Sequence, residues 1–177
     1  MNPTPLAVIS SMATKALLTE LLAEFQPLPP GRAVALESVG GVDAARRVAA
    51  GEALDAVVLG SDAIDQLTAS GHVRAGSRVD IVRSGVAIAV RAGAPRPDTG
   101  SEAAVKAAVL AARSVGYSTG PSGVALARLF ERWGIADQVR AKLVTPPPGT
   151  PVGALIASGE VELGFQQLSE LMHLPGI

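Results

Sequence analysis

The chain has 177 residues, a formal net charge of -1, 48% hydrophobic residues and no cysteine. This length suits one ordinary domain or two small lobes, and the lack of cysteine excludes thiol nucleophiles, disulfides and zinc–thiolate sites. The charged fraction of 18% and the near-neutral balance provide no basic stripe, so nucleic acid is not an expected partner. Aromatic residues make up only 3%, which argues against sites that stack on bases or sugars.

Metal sites and membrane spans also find little support in the sequence. His72 and His173 are the two histidines, and neither has another metal ligand at motif spacing, so no metal or cofactor is expected. Charged residues interrupt every apolar run before it reaches the roughly 18 residues of a membrane span, so the chain is not expected to insert. No export signal is visible at the N-terminus, which predicts a cytoplasmic protein as encoded, or a periplasmic one if a leader has been removed.

The first half of the chain alternates short apolar runs with helical patterns. In the first predicted helix, Leu18, Leu21, Leu22 and Phe25 recur at helical spacing, which predicts a buried stripe. The pattern predicts strands at 6–9, 33–37 and 55–59, and helices at 12–25, 42–50 and 61–69.

The second half begins with a predicted long strand over 79–82 and 85–90, interrupted at Arg83. Thr150 as N-cap with Pro151 at the first helical position is a strong signal for a helix start. Such alternation of strands and helices predicts an α/β fold with a parallel-dominated sheet in each half. Helices are predicted at 101–112, 121–133, 151–158 and from about Gln167, and strands at 114–117, 141–144 and 161–165.

Small polar residues follow the predicted strands repeatedly. In open α/β sheets, ligands bind beyond the carboxyl ends of the strands, where helix N-termini present backbone N–H groups. Any single serine there is explained as an ordinary N-cap, but the repetition predicts a site for a small anion. The candidate residues are Ser10, Ser11, Ser38, Ser61, Ser118, Thr119, Ser122, Gly123, Gln166 and Gln167.

The segment 117–123, YSTGPSG, is the most informative of these strand ends. Its glycines let a ligand approach the backbone, and Pro121 suits the first turn of a helix. The N–H groups of Ser122 and Gly123 are expected to point out of the helix start toward an anion. The segment is neither a Walker A sequence nor a Rossmann fingerprint, which disfavours nucleotides.

Five segments resemble, in the same order, the molybdate-binding-like branch of the type II periplasmic solute-binding proteins. They are VISSMA at 8–13, DAVVLGS at 55–61, RSGV at 83–86, STGPSG at 118–123 and ELGFQQLSE at 162–170. The resemblance implies a two-lobed α/β protein that closes over an anion, with lobes at 1–83 and 84–177 and a hinge near 83–90. Relatives return to the first lobe through a second hinge strand, so the resemblance also implies that this C-terminal return is missing here.

The resemblance assigns the candidate residues to places in such a site. It implies first-lobe contacts from Ser10 and Ser11, a third-strand position for Ser61, a second-lobe helix start at Ser122 and Gly123, and a late polar position at Gln166 or Gln167. It further implies an ABC transporter permease as partner if the chain is exported.

The class of anion stays open at this point. Arg83 would suit a carboxylate through a bidentate pair if it faces the ligand, and it is equally consistent with a surface position at a strand edge. A tetrahedral oxoanion such as molybdate does not need this arginine.

Two other functions remain as alternatives. Some proteins of the branch are similar to aconitate isomerases, and an isomerase needs a base that moves an allylic proton. The candidate bases near predicted loops are His72, Asp62, Tyr117 and Glu170. An intracellular module that senses an anion would keep the same binding site without transport or catalysis.

Overall fold

Strands and helices alternate through both halves of the chain in the computed structural model, which describes residues 4–25, 32–147 and 150–177. Backbone contacts divide the chain into two compact units, Met1–Arg83 (unit 1) and Ser84–Ile177 (unit 2). Unit 1 contains β1 (Leu6–Ser11), a 3-10 turn (Met12–Thr14), α1 (Lys15–Phe25), β2 (Val34–Val39), α2 (Gly41–Ala49), β3 (Ala56–Val58) and α3 (Ser61–Ala69).

Unit 2 contains the remaining elements. They are β4 (Val86–Ala89), α4 (Glu102–Ala111), β5 (Val115–Tyr117), α5 (Pro121–Arg132), α6 (Ala136–Val139), a 3-10 turn (Arg140–Lys142), β6 (Leu143–Val144), α7 (Val152–Ser158), β7 (Leu163–Gln167) and α8 (Leu168–Leu171). In the described part of the chain, none of the helices is long and apolar enough to cross a membrane.

The sheet of unit 1 is parallel, with strand order β2-β1-β3. Ile9 on the central strand is fully buried, and it belongs to a core with Ala44 and Val48 of α2 and Leu67 of α3. Because all three strands run in the same direction, their carboxyl ends lie at the same edge of the sheet.

Helix α1 forms as predicted, but its apolar stripe is not buried. Leu21 and Phe25 are 53% and 50% exposed, while Leu18 and Leu22 are half-buried. The helix packs mainly against β2, and none of its residues is fully buried. Helical spacing of apolar residues therefore predicted the helix correctly and its burial wrongly, since burial depends on a second surface that the pattern does not describe.

The sheet of unit 2 has strand order β4-β7-β5-β6 and is mixed. Strands β5, β6 and β7 are parallel, whereas β4 is antiparallel to β7. Parallel pairs still dominate. The physical reason is that β4 and β7 are the first and last strands of the unit, so no single strand–helix–strand crossover joins them and dictates their direction.

The core of unit 2 is built around Phe130 of α5, which lies edge-on to Phe165 of β7 with ring centroids 6.4 Å apart. Helix α7 lies very close to the opposite face of the sheet. A Cβ atom on Gly164 would lie 2.3 Å from Ile156 Cδ1, so the close approach requires glycine in β7.

Two predicted strands differ from the structure. Residues 79–82 form no strand and their three apolar side chains are exposed, so Arg83 does not lie in a strand either. A continuous apolar run becomes a strand only when a neighbouring strand takes up its backbone hydrogen bonds, and within the described residues none does so here. The strand predicted at 141–144 shortens to Leu143–Val144, because α6 and a 3-10 turn occupy 136–142.

Candidate functional site

Unit 1 places two serine hydroxyls together at the carboxyl edge of its sheet. Ser10 on β1 is paired in register with Ser38 on β2, and their Oγ atoms lie 2.8 Å apart. Ser10 is fully buried and Ser38 is half-buried. We call Ser10 and Ser38 the first hydroxyl pair.

Two further predicted residues lie at the same edge of unit 1. Ser11 is the last residue of β1, and its backbone carbonyl accepts a hydrogen bond from Thr14 Oγ1 at 3.2 Å. Ser61 is exposed and begins α3, three residues beyond Val58 at the end of β3. Because β3 is parallel to β1, Ser61 follows the strand at the edge where the first hydroxyl pair lies.

Unit 2 carries a second pair of hydroxyls at the carboxyl end of β5. Ser118 Oγ and Ser122 Oγ lie 2.9 Å apart, one just after the strand and the other in the first turn of α5. Ser122 is 8% exposed, whereas Thr119 between them is exposed. We call Ser118 and Ser122 the second hydroxyl pair.

Gly123 has a different role from the one predicted. Its N–H donates to the carbonyl of Gly120 at 3.0 Å in a tightened first helical turn, so it is not free for an anion. A Cβ atom at this position would lie 1.7 Å from the carbonyl oxygen of Ser118. Glycine is therefore required to bring the helix start against the strand end. The Ser122 N–H donates to no acceptor within the ranges that the structure describes.

Gln166 is 3% exposed and both ends of its side-chain amide are used inside unit 2. Its Oε1 accepts a hydrogen bond from the backbone N–H of Val152 at 2.8 Å, and its Nε2 donates to the carboxylate of Glu170. Gln166 thus caps the start of α7 from a neighbouring strand. The predicted cap at Thr150 is wrong, since Pro151 occupies the N-cap position and Val152 begins the helix.

Gln167 and Arg83 are the last two predicted contact residues. Gln167 is half-buried, ends β7 and occupies the N-cap position of α8. Arg83 is exposed at the end of unit 1 and forms no ion pair with any residue in the described ranges. Their assignment to a ligand stays a prediction.

The four candidate bases differ in their environments. His72 and Asp62 are exposed, and Tyr117 is half-buried near the second hydroxyl pair. Glu170 is also half-buried, and burial raises the pKa of its carboxyl above the ordinary value, while the hydrogen bond from Gln166 opposes this shift. In the portions of the chain that are described, no cluster of three or more His, Asp or Glu could hold a metal ion.

The sequence indicated the serines at strand ends but not how they pair. Ser38 was recognisable as the residue following a strand, yet its partner Ser10 lies 28 positions away and depends on strand register. The link from Gln166 to Val152 spans 14 positions and has no local motif. By contrast, the two serines of the second hydroxyl pair are four positions apart within one strand–turn–helix segment, which the sequence singled out.

Comparison with solved structures supports the fold. The periplasmic molybdate-binding protein of Azotobacter vinelandii matches with a TM-score of 0.74 and 19% identity, over 92% of this chain and 71% of that one. The substrate-binding domain assigned to a molybdenum ABC transporter of Clostridium difficile matches with a TM-score of 0.69 and 12% identity, over 97% of this chain and 75% of that one. The expected molybdate-binding-protein fold is confirmed.

Comparison with sequences supports the family. A curated aconitate isomerase from Pseudomonas sp. is 41% identical over 179 residues, which cover 98% of this chain and 68% of that protein. The family model described as bacterial extracellular solute-binding protein matches residues 6–177. The chain, whose strand-end residues resembled this group from the sequence alone, therefore belongs to the family of bacterial extracellular solute-binding proteins.

Proposed function

We propose that this chain binds a small polycarboxylate anion of the aconitate class chiefly through neutral hydrogen-bond donors. The observation that carries the proposal is the pairing of serine hydroxyls at the carboxyl ends of strands in each unit, Ser10 with Ser38 and Ser118 with Ser122. Strand ends of this kind are the usual ligand position in open α/β sheets.

The hydrogen-bond inventory of each pair favours an anion. Two hydroxyls have two protons, and their mutual hydrogen bond uses only one of them. The second proton of each pair can therefore be donated to a ligand. A carboxylate accepts hydrogen bonds and donates none, which matches a site that offers donors.

The sequence comparison favours a carboxylate over a tetrahedral oxoanion. The relative named aconitate isomerase is 41% identical, whereas the molybdate-binding structures at 12% and 19% identity support only the fold. We propose Ser11, Ser61 and Arg83 as further anion contacts of unit 1, and Thr119 and Gln167 as further anion contacts of unit 2. We keep molybdate binding and delivery to an ABC transporter permease as the competing proposal.

Calorimetry with separate ligands tests the proposal. We expect cis- or trans-aconitate to bind and to raise the melting temperature, because a ligand that binds only the folded state stabilises it. Molybdate, tungstate and sulfate should have little effect. Tight molybdate binding without aconitate binding would overturn the choice of ligand, and no binding of any anion would overturn the function.

A second candidate function is isomerisation of the bound aconitate. The name and 41% identity of the curated relative favour it, and a half-buried carboxyl with a raised pKa is present in unit 2. Proton NMR in D2O tests it directly. An isomerase converts one geometric isomer into the other and exchanges carbon-bound hydrogen for deuterium, whereas a binding protein leaves both unchanged.

A further inference from the structure

Glu170 stands apart from the other carboxyl groups that the structure describes. Four of those carboxyls accept hydrogen bonds that hold their pKa values below the ordinary range. The donor is an arginine for Glu37, Glu52 and Glu162, and Trp133 followed by Arg132 for Glu102. Glu170 is half-buried, has no cationic partner within the described ranges, and accepts a hydrogen bond from Gln166. Burial without a cation makes a carboxylate a stronger base.

The hydrogen bonds of Gln166 hold this carboxyl in place. Because Gln166 Oε1 accepts from the Val152 N–H at 2.8 Å, the orientation of the amide is determined and its NH2 group must face Glu170. One carboxylate oxygen, Oε2, is thus engaged. The other oxygen, Oε1, has no hydrogen-bond partner in the described chain.

Strand register relates this group to the second hydroxyl pair. Tyr117, the last residue of β5, is paired with Phe165 of the parallel strand β7, so Ser118 follows β5 at the edge toward which β7 continues through Gln166 and Gln167. Glu170 follows on α8, directly after β7. The second hydroxyl pair and the Glu170 carboxyl therefore follow neighbouring parallel strands at the same edge of one sheet.

The elements that make most contact with α8 carry no other titratable side chain. Among the described elements these are β4 and β7, while Leu171 and Leu174 lie against Gly153 of α7. Ser169 Oγ on α8 also lies 3.4 Å from Ser84 Oγ, the residue next to the exposed Arg83. None of β4, β7 and α7 carries a titratable side chain. On α8 itself Glu170 is the titratable residue, and the exposed His173 follows the helix.

We propose that Glu170 is the proton-transfer group of an aconitate isomerisation, in direct contact with the reacting carbons. The proposal rests on the isomerase function proposed above. The Glu170 carboxylate takes a proton from the CH2 carbon, and the electron pair of that C–H bond forms the new carbon–carbon double bond. The electron pair of the old double bond takes the same proton, or one exchanged with water, from Glu170 at the other carbon. Atoms and electrons balance without a co-reactant.

The test compares wild type with Glu170→Gln, using Glu131→Gln on an exposed position of α5 as matched control. We expect wild type and E131Q to isomerise aconitate and to exchange its CH2 hydrogens in D2O. In E170Q both rates should fall by about 10²- to 10⁴-fold. Calorimetry with aconitate should show binding by E170Q at least as tight as by wild type, because a neutral amide replaces a negative group.

Each result separates the two proposals. If wild type binds no aconitate, the proposed function fails. If it binds aconitate without exchange, binding stands and the role of Glu170 is overturned. If E170Q exchanges as fast as wild type, isomerisation stands and another base performs it. Should E170Q not fold, Glu170→Asp retains the carboxylate one methylene farther away, and a wild-type rate in this variant would overturn the proposal.

Discussion

The two hydroxyl pairs have nearly the same oxygen separation, 2.8 Å and 2.9 Å, but they arise in different ways. Ser118 and Ser122 are four residues apart, and the path of one strand–turn–helix segment brings them together. Ser10 and Ser38 are 28 residues apart and meet only because β1 and β2 pair in one register. One pair thus depends on local backbone geometry, and the other depends on tertiary structure.

The largest effect is expected from a change that breaks the local geometry of the second pair. Gly123→Ala would place a Cβ atom 1.7 Å from the Ser118 carbonyl oxygen, so strand end and helix must move apart. We expect a loss of about 3 kcal/mol in the free energy of unfolding, as for an overpacked core, measured by urea denaturation. Gly120→Ala is the control, because its Cβ meets the nearest atom, Ser118 Oγ, at an ordinary 3.7 Å. Equal stability of both variants would contradict the role given to Gly123.

A slightly smaller effect is expected where a tertiary hydrogen bond caps a helix. Gln166→Leu leaves the buried N–H of Val152 without its acceptor and removes the donor to Glu170. An unsatisfied buried polar group should lower the free energy of unfolding by about 2 kcal/mol, measured by thermal or urea denaturation. Gln138→Leu on an exposed position of α6 should change it by only a few tenths. If Gln166→Leu leaves the free energy of unfolding unchanged, the hydrogen bond that caps α7 adds little to stability.

The binding contributions of the two pairs should be equal and modest. Ser10→Ala and Ser122→Ala each remove one donor, so each should weaken aconitate binding by about 1 kcal/mol, or roughly fivefold. Calorimetry measures this, with the exposed Ser77→Ala as control. We also expect S10A to lower stability, because Ser38 Oγ loses its partner. If only one of the two variants weakens binding, the pair of that unit alone contacts the ligand.

The smallest effects concern the pH dependence of stability. The pKa values of carboxyl groups are shifted downward in unit 1 and upward in unit 2. Hydrogen bonds from Arg47 lower the pKa values of Glu37 and Glu52 in unit 1, so their stabilising effect is present above the ordinary value of 4.5 and is lost as pH falls below it. Burial raises the pKa of Glu170 in unit 2, so the folded protein loses stability as pH rises through that raised value.

Melting temperatures measured across mildly acidic pH distinguish the two groups. Arg47→Met should flatten the loss of stability on acidification. Glu170→Gln should remove a loss that occurs as pH rises, so its melting temperature relative to wild type should increase with pH. A constant difference between E170Q and wild type would mean that the carboxyl titrates equally in the folded and unfolded chains.

By itself, the sequence determined the elements whose signals are local. Apolar runs, helical spacing and a Pro–Ser–Gly helix start predicted the end of α3 at Ala69 and the start of α5 at Pro121, and they singled out the segment that holds the second hydroxyl pair. These predictions succeeded because the relevant interactions lie within a few residues. The same reasoning failed where another part of the structure had to supply a partner. Residues 79–82 have no neighbouring strand among the described residues, and the apolar stripe of α1 is covered only in part.

Only the tertiary structure decided which polar groups meet. Strand register pairs Ser10 with Ser38, and the packing of α7 and β7 brings Gln166 to Val152 and, through Gln166, holds Glu170. Hydrogen bonds act over about 3 Å, so they depend on the spatial arrangement of distant segments and not on their spacing along the chain. The residue types at the strand ends therefore predicted a class of ligand, while their pairing and the basicity of Glu170 emerged only from the folded chain.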